Sequence, residues 1–153
     1  MVIRKAEVKD LNQIVAIHFE RFSGFFLTSL GRDFLKTFYK AYLKNPGVLL
    51  VLEDEGEVKG FAAGSRDNRG FFKKLLKNNF VGFAISGLKI LFANPKALKR
   101  IASNIGKSEK NNFAFAELLS IATLKNKKAT VKFYYRNLKM RYPKKIKKIY
   151  QFH

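Results

Sequence analysis

Cysteine is absent from the chain, and its absence excludes disulfides, thiolate metal sites and a cysteine nucleophile. Two histidines are too few for a zinc centre unless carboxylates complete it. The thiol-free composition suits a reducing, cytoplasmic setting. No uncharged run reaches the roughly 18 to 20 residues of a spanning helix. The most apolar stretch, Phe80 to Phe92, is short and Lys89 interrupts it. Met1 to Lys5 lacks the apolar core and small-residue cleavage site of a secretory signal, which predicts an unexported chain. Glycine is missing after Gly106 and acidic residues are missing after Glu117. Three prolines and ten glycines in 153 residues exclude collagen-like and low-complexity readings.

What is present is a core former: 47% of residues are hydrophobic and 14% aromatic, enough for one packed domain. Val2 to Ala6 reads as an edge strand, and Asp10 followed by Gln13 is a helix start, the carboxylate accepting a free backbone amide. Leu11, Ile14, Val15, Ile17 and Phe22 then keep helical spacing. After Gly24 to Phe26, a second helix puts Phe34, Leu35, Phe38, Tyr39, Tyr42 and Leu43 on one face, and Asn45-Pro46-Gly47 stops it. The branched run Val48 to Leu52, the acidic turn Asp54-Glu55-Gly56-Glu57 and the run Val58 to Gly64 make a hairpin. Helices are expected to fill 69 to 105. Phe113, Phe115, Glu117, Leu119, Ile121 and Thr123 alternate with Leu118 and Ala122, which predicts a strand with those two sets on opposite faces.

The order strand, two helices, hairpin, helices, strand, together with the pattern Val48-Leu49-Leu50-Val51-Leu52, acidic turn, Val58-Lys59-Gly60-Phe61, resembles the GNAT superfamily of N-acetyltransferases over about residues 2 to 124. The resemblance implies an α+β fold, a mixed, mostly antiparallel sheet flanked by helices and C-terminally incomplete. It also implies acetyl transfer from acetyl-CoA to a small-molecule or peptide amine. Ala116 to Thr123 looks like the family's central strand, which splays from its neighbour and takes the pantetheine arm. On that likeness Leu119, Ile121, Ala122 and Thr123 bind the cofactor, with backbone groups of Ile121 and Thr123 on the pantetheine amides. Glu117 is the candidate base, since the chemistry needs a proton acceptor for the amine, and Phe25, Phe26 and Leu27 stand where the family builds its acceptor site. Without the resemblance, Glu117 reads as a solvated strand-end carboxylate and the aromatics as core. His18 faces that site or solvent, and a lone helical histidine is usually structural.

The family's glycine-rich pyrophosphate loop should follow this strand, because amides at a helix start cradle phosphate. Here Lys125-Asn126-Lys127-Lys128 follows instead. Residues 125 to 153 hold 11 Lys and Arg and no acid, whereas residues 1 to 124 hold 20 against all 11 acids. Two origins fit this basic tail. A deletion would join the strand to a later helix, Asn126-x-x-Ala129-x-x-x-Phe133-Tyr134, giving Tyr134 the family's thiolate-protonating role. An out-of-frame tail is the preferred origin, because regrouped codons permit Gly-x-Gly-x-x-Leu-Leu there and restore acids, and it predicts a frayed segment. Either origin leaves one edge of the central strand unpaired, which predicts a homodimer or aggregation. The rival function is nucleic-acid binding through Lys144-Lys145-Ile146-Lys147-Lys148, with Tyr134, Tyr135, Tyr142 and Tyr150 stacking bases. A peripheral membrane role for Phe80 to Phe92 and its flanking lysines comes third.

Overall fold

The computed structural model describes residues 1–93, 96, 116–124 and 146–149. Strand β1 (Val2–Lys5) leads through a 3-10 turn (Val8–Asp10) into helix α1 (Leu11–Arg21). A single helical turn, α2 (Phe26–Ser29), precedes α3 (Arg32–Tyr42). The hairpin β2 (Gly47–Asp54) and β3 (Glu57–Ser65) follows, then α4 (Phe71–Asn78), α5 (Phe80–Ala93), β4 (Ala116–Thr123) and β5 (Ile146–Ile149). The sheet runs β1-β2-β3-β4-β5, antiparallel through β4, with β4 and β5 parallel. This is a mixed α+β architecture, and none of its described helices is long and apolar enough to cross a membrane. Residues 113–115 and 94–105, part of the expected strand and helices, lie outside the described residues apart from Lys96.

The continuous apolar run of β2 reflects burial on both sheet faces. Leu49 and Val51, with Val58, Phe61 and Ala63 of β3, join Ile14, Leu35, Tyr39 and Tyr42 in the main core beneath α1 and α3. Leu50, Leu52 and Ala62 form a smaller cluster on the opposite face with Ile3, Leu118 and Ile121. The two central turn residues, Glu55 and Gly56, have φ of 53° and 79°, the left-handed twist that a two-residue hairpin requires.

Three details depart from the sequence reading. Asp10 does not cap α1: it is buried, takes two hydrogen bonds from the Arg4 guanidinium (2.7 and 2.9 Å) and accepts the Glu7 amide at 2.8 Å. An arginine six residues upstream outcompetes the helix amides, and it ties β1 to the start of α1. Strict alternation in β4 also fails, because Ala63 pairs with Ser120 and Gly64 with Leu118, leaving Leu119 as an unpaired bulge. Leu118 and Ile121 therefore share one face, while Leu119 and Ala122 join the main core on the other. The expected open edge of β4 is covered over its first half, where Ala116 pairs with Ile146 and Leu118 with Ile149. The argument for a dimer through that edge loses its basis there, and four tail residues are strand rather than frayed chain.

Gly60 and Gly64 make the β3–β4 approach possible. A Cβ at Gly64 would collide with the Glu117 carbonyl, and one at Gly60 would meet the Ala122 carbonyl at 2.9 Å. Gly64→Ala is expected to lower unfolding free energy by about 1 to 3 kcal/mol in urea titrations. Asp10 gives a pH signature. The Arg4 hydrogen bonds hold its carboxyl below the usual range, so its stabilisation is present above the unfolded value near 4 and lost as pH falls through the folded value. Asp10→Asn should cost about 2 kcal/mol at pH 7 and flatten acid sensitivity below pH 4 in the same titrations.

Candidate functional site

The β4 bulge opens onto an apolar cavity of about 440 Å³ bounded by α2, α3, α4, α5 and β4. Its walls come from Phe26 and Leu27 of α2, Phe34, Phe38 and Tyr42 of α3, and Phe72, Leu75 and Leu76 of α4. Phe83, Gly87 and Ile90 of α5 line the far side, Leu119 and Ser120 of β4 add to the wall, and the cavity stays partly open to the surface. The size and lining suit a small ligand.

Polar contacts at the back of these helices fix the walls. Thr37 and Ser86 hydroxyls meet at 3.1 Å between α3 and α5, and the Asn79 side chain donates to the Thr37 carbonyl at 3.1 Å. Asn78 donates to the Asn45 carbonyl at 3.1 Å, tying the end of α4 to the loop after α3. An exposed pair, Lys89 with Asp33 at 2.9 Å, spans the same two helices as the Thr37–Ser86 contact.

Behind the cavity a polar line crosses the core. His18 of α1 is 3% exposed, and its Nδ1 lies 2.7 Å from the Tyr39 hydroxyl. Its Nε2 has no partner among the described residues. Burial drives the imidazole pKa down to about 4, so the ring is neutral at pH 7. Burial also pushes the Tyr39 phenol well up, partly opposed by a hydrogen bond with the Ser120 side chain. The hydrogen bond joins α1 to α3, and Ser120, on the β4 wall of the cavity, acts on the same phenol.

The expected site residues divide. Phe26 and Leu27, expected at the acceptor site, and Leu119, expected on the cofactor, all line the one cavity, and Ala122 is buried in the adjoining core. Glu117 is half-buried and pairs with Ser65. It precedes Leu118 and so stands on the helix-covered face, where its charge helps burial raise the pKa of Tyr42, a cavity residue. Phe25 does not line the cavity: it is exposed, with its ring 5.6 Å from Phe22, and borders a shallow depression with Ser23 and Gly24. The Ile121 side chain belongs to the opposite face, Thr123 is half-buried against Gly60, and Tyr134 lies outside the described residues. His18 does not face solvent; it is buried against Tyr39 and Phe22. Its position four residues after Ile14, on the apolar face of α1, already carried that signal. Nothing local in the sequence marked Ser120, which owes its place to the bulge. Among the described residues no group of three or more His, Asp or Glu could hold a metal. No family model, curated protein or solved structure matches the chain.

The neutral His18 makes stability depend on pH in a defined window. Because the unfolded ring takes a proton near 6.5 and the folded ring only near 4, stability is full above 6.5 and falls as pH drops between those values. The loss should approach about 3 kcal/mol in denaturant titrations between pH 7 and 4, and His18→Gln should remove most of it.

Proposed function

We propose that the chain is an N-acetyltransferase of the GNAT kind, transferring acetyl from acetyl-CoA to an amine, with CoA held weakly. The observation that carries this reading is the course of β4. It bulges at Leu119 and pairs with β5 in parallel only around Ala116 and Leu118. Beyond Leu118 its β5 side has no strand partner among the described residues, and there Leu119 and Ser120 border the apolar cavity. A central strand parting from its neighbour is what the resemblance needs for the pantetheine arm, with Ile121 and Thr123 offering backbone groups. The cavity supplies an acceptor pocket walled by Phe26 and Leu27.

In this reading the nitrogen–carbon bond forms as the carbon–sulfur bond breaks, and the proton leaving the amine passes to the Glu117 carboxylate. The resemblance gives Tyr134 the protonation of the departing thiolate. The pyrophosphate fits less well. No glycine follows Gly106, so Lys125, Lys127 and Lys128 offer charge without the convergent amides that bind phosphate tightly.

Acetyl transfer from acetyl-CoA should be measurable at high cofactor concentration against a panel of amines, and calorimetry should give a CoA dissociation constant weaker than micromolar. Glu117→Gln should lower turnover by roughly 10²-fold or more while leaving the KM for acetyl-CoA near its starting value. Transfer to none of the amines would overturn the function, micromolar CoA binding would overturn the weak anchor, and undiminished turnover in the variant would remove Glu117 from the chemistry.

A further inference from the structure

Helix α5 buries one side and leaves the other without cover. Ser86 and Ile90 are buried and Phe83 and Gly87 line the cavity, whereas Phe80, Val81, Ile85 and Leu88 are each 55% to 70% exposed, with Ala84 exposed among them. At about 100° per residue these five positions fill one arc of roughly 140°, opposite the buried side. A helix facing water carries polar residues on that arc, and this one carries none. The result is a contiguous apolar face rather than scattered single side chains.

The charge around this face has one sign. Residues 66–93 hold Arg66, Arg69, Lys73, Lys74, Lys77 and Lys89 against a single acid, Asp67. Asp67 is engaged by Arg69 and Lys74, and Lys89 meets Asp33 of α3 at 2.9 Å. Lys73 and Lys77 are exposed and have no carboxylate partner among the described residues. They stand on α4, which Asn79 alone separates from α5 and which also exposes Phe72.

Composition separates the partners that fit such a surface. A second copy would bring the same cations against these, in a chain of net charge +20. A nucleic acid would answer the lysines, but Val81, Ile85 and Leu88 offer its bases neither a ring to stack on nor a hydrogen bond. An anionic lipid surface satisfies both halves, because apolar side chains enter the boundary between headgroups and acyl chains while flanking lysines meet the lipid anions. With 14 residues α5 is about 21 Å long, short of the roughly 30 Å hydrocarbon core, so it suits lying along a membrane and not crossing it. We propose that the exposed face of α5 docks the protein on an anionic lipid surface, with Phe80, Val81, Ile85 and Leu88 in the acyl boundary and Lys73 and Lys77 at the headgroups. This goes beyond the function proposed above and does not depend on it.

Flotation of the full chain with vesicles tests this. Vesicles of phosphatidylcholine with roughly one-third phosphatidylserine should bind it at least tenfold better than phosphatidylcholine alone. Net charge alone would give that preference, so the deciding variants alter the apolar face. Ile85→Gln with Leu88→Gln should weaken binding to the anionic vesicles at least fivefold, whereas Val8→Gln, at a residue 62% exposed in the 3-10 turn, should leave it unchanged. Lys73→Gln with Lys77→Gln should also weaken it at least fivefold. The chain has no tryptophan, so Leu88→Trp supplies a single reporter. Its emission should shift to the blue on the anionic vesicles and be quenched by bromine on the acyl chains, while Val8→Trp shows neither change. Absence of vesicle binding, undiminished binding in the Ile85→Gln, Leu88→Gln pair, an equal loss in Val8→Gln, or an unshifted Leu88→Trp would overturn the proposal. A dimer in sedimentation that the same pair dissolves would assign the face to a second copy, and loss of single-stranded RNA binding with vesicle binding intact would assign it to nucleic acid; either overturns the proposal. If the pair fails to fold, Leu88→Trp decides.

Discussion

Two glycines in β3 let β4 approach closer than a side chain would allow, and most of the site descends from that approach. With the Glu117 carbonyl against Gly64 and the Ala122 carbonyl against Gly60, the strands can mate on both sides of an unpaired residue. The extra residue has to go somewhere, and Leu119 and Ser120 turn together toward the helices instead of alternating across the sheet. The bulge costs the ladder a pairing. In return, a hydroxyl stands at a cavity wall where a regular strand would have put it on the other face.

The helices answer this irregularity with an aromatic layer. Tyr39 meets Phe38 and Phe61 edge-on at 5.5 and 5.1 Å, and Tyr42 meets Phe71 at 5.4 Å, so the rings of α3 are clamped between the sheet and α4. A fully buried phenol needs a partner for its hydroxyl, and His18 supplies it from α1. The pair thereby fixes how α1 and α3 lie against each other. The cost is an unmatched nitrogen on the far side of the imidazole, a debt that apolar residues would not have incurred.

The elements were legible in the sequence wherever one face of a periodic segment carries the core. Leu11, Ile14, Val15 and Ile17 of α1 and Phe34, Leu35, Tyr39 and Tyr42 of α3 are all buried, and the run Val48 to Leu52 with its acidic turn is the hairpin. The cavity was half legible: Phe26, Leu27 and Leu119 carried the signal, but its far wall comes from Phe83 and Ile90 of α5. What local pattern could not show were outcomes of competition between distant groups. Asp10 bonds to no amide of α1 and takes Arg4 and the Glu7 amide instead. Ser120 reaches a cavity wall shared with helices far from it in the chain, beside a bulge whose partner strand carries Gly60 and Gly64. The short turn α2 has no counterpart in the sequence pattern, because four residues are too few to show a period.

The hairpin has an electrical consequence. Its turn gathers Glu53, Asp54, Glu55 and Glu57, four of the eleven acids of the chain. The opposite end of β2 and β3 leads into Arg66, Arg69 and the lysines Lys73, Lys74 and Lys77 of α4, with Asp67 paired among them. Eight strand residues set the two ends roughly 26 Å apart. At the turn the acids meet cations, the Met1 amine with Asp54, Arg4 with Glu53 and Lys59 with Glu57, so the charge there is nearly cancelled. At the other end one carboxylate, Asp67, stands among five cations, and an anionic group approaching this part of the sheet is drawn to the α4 side.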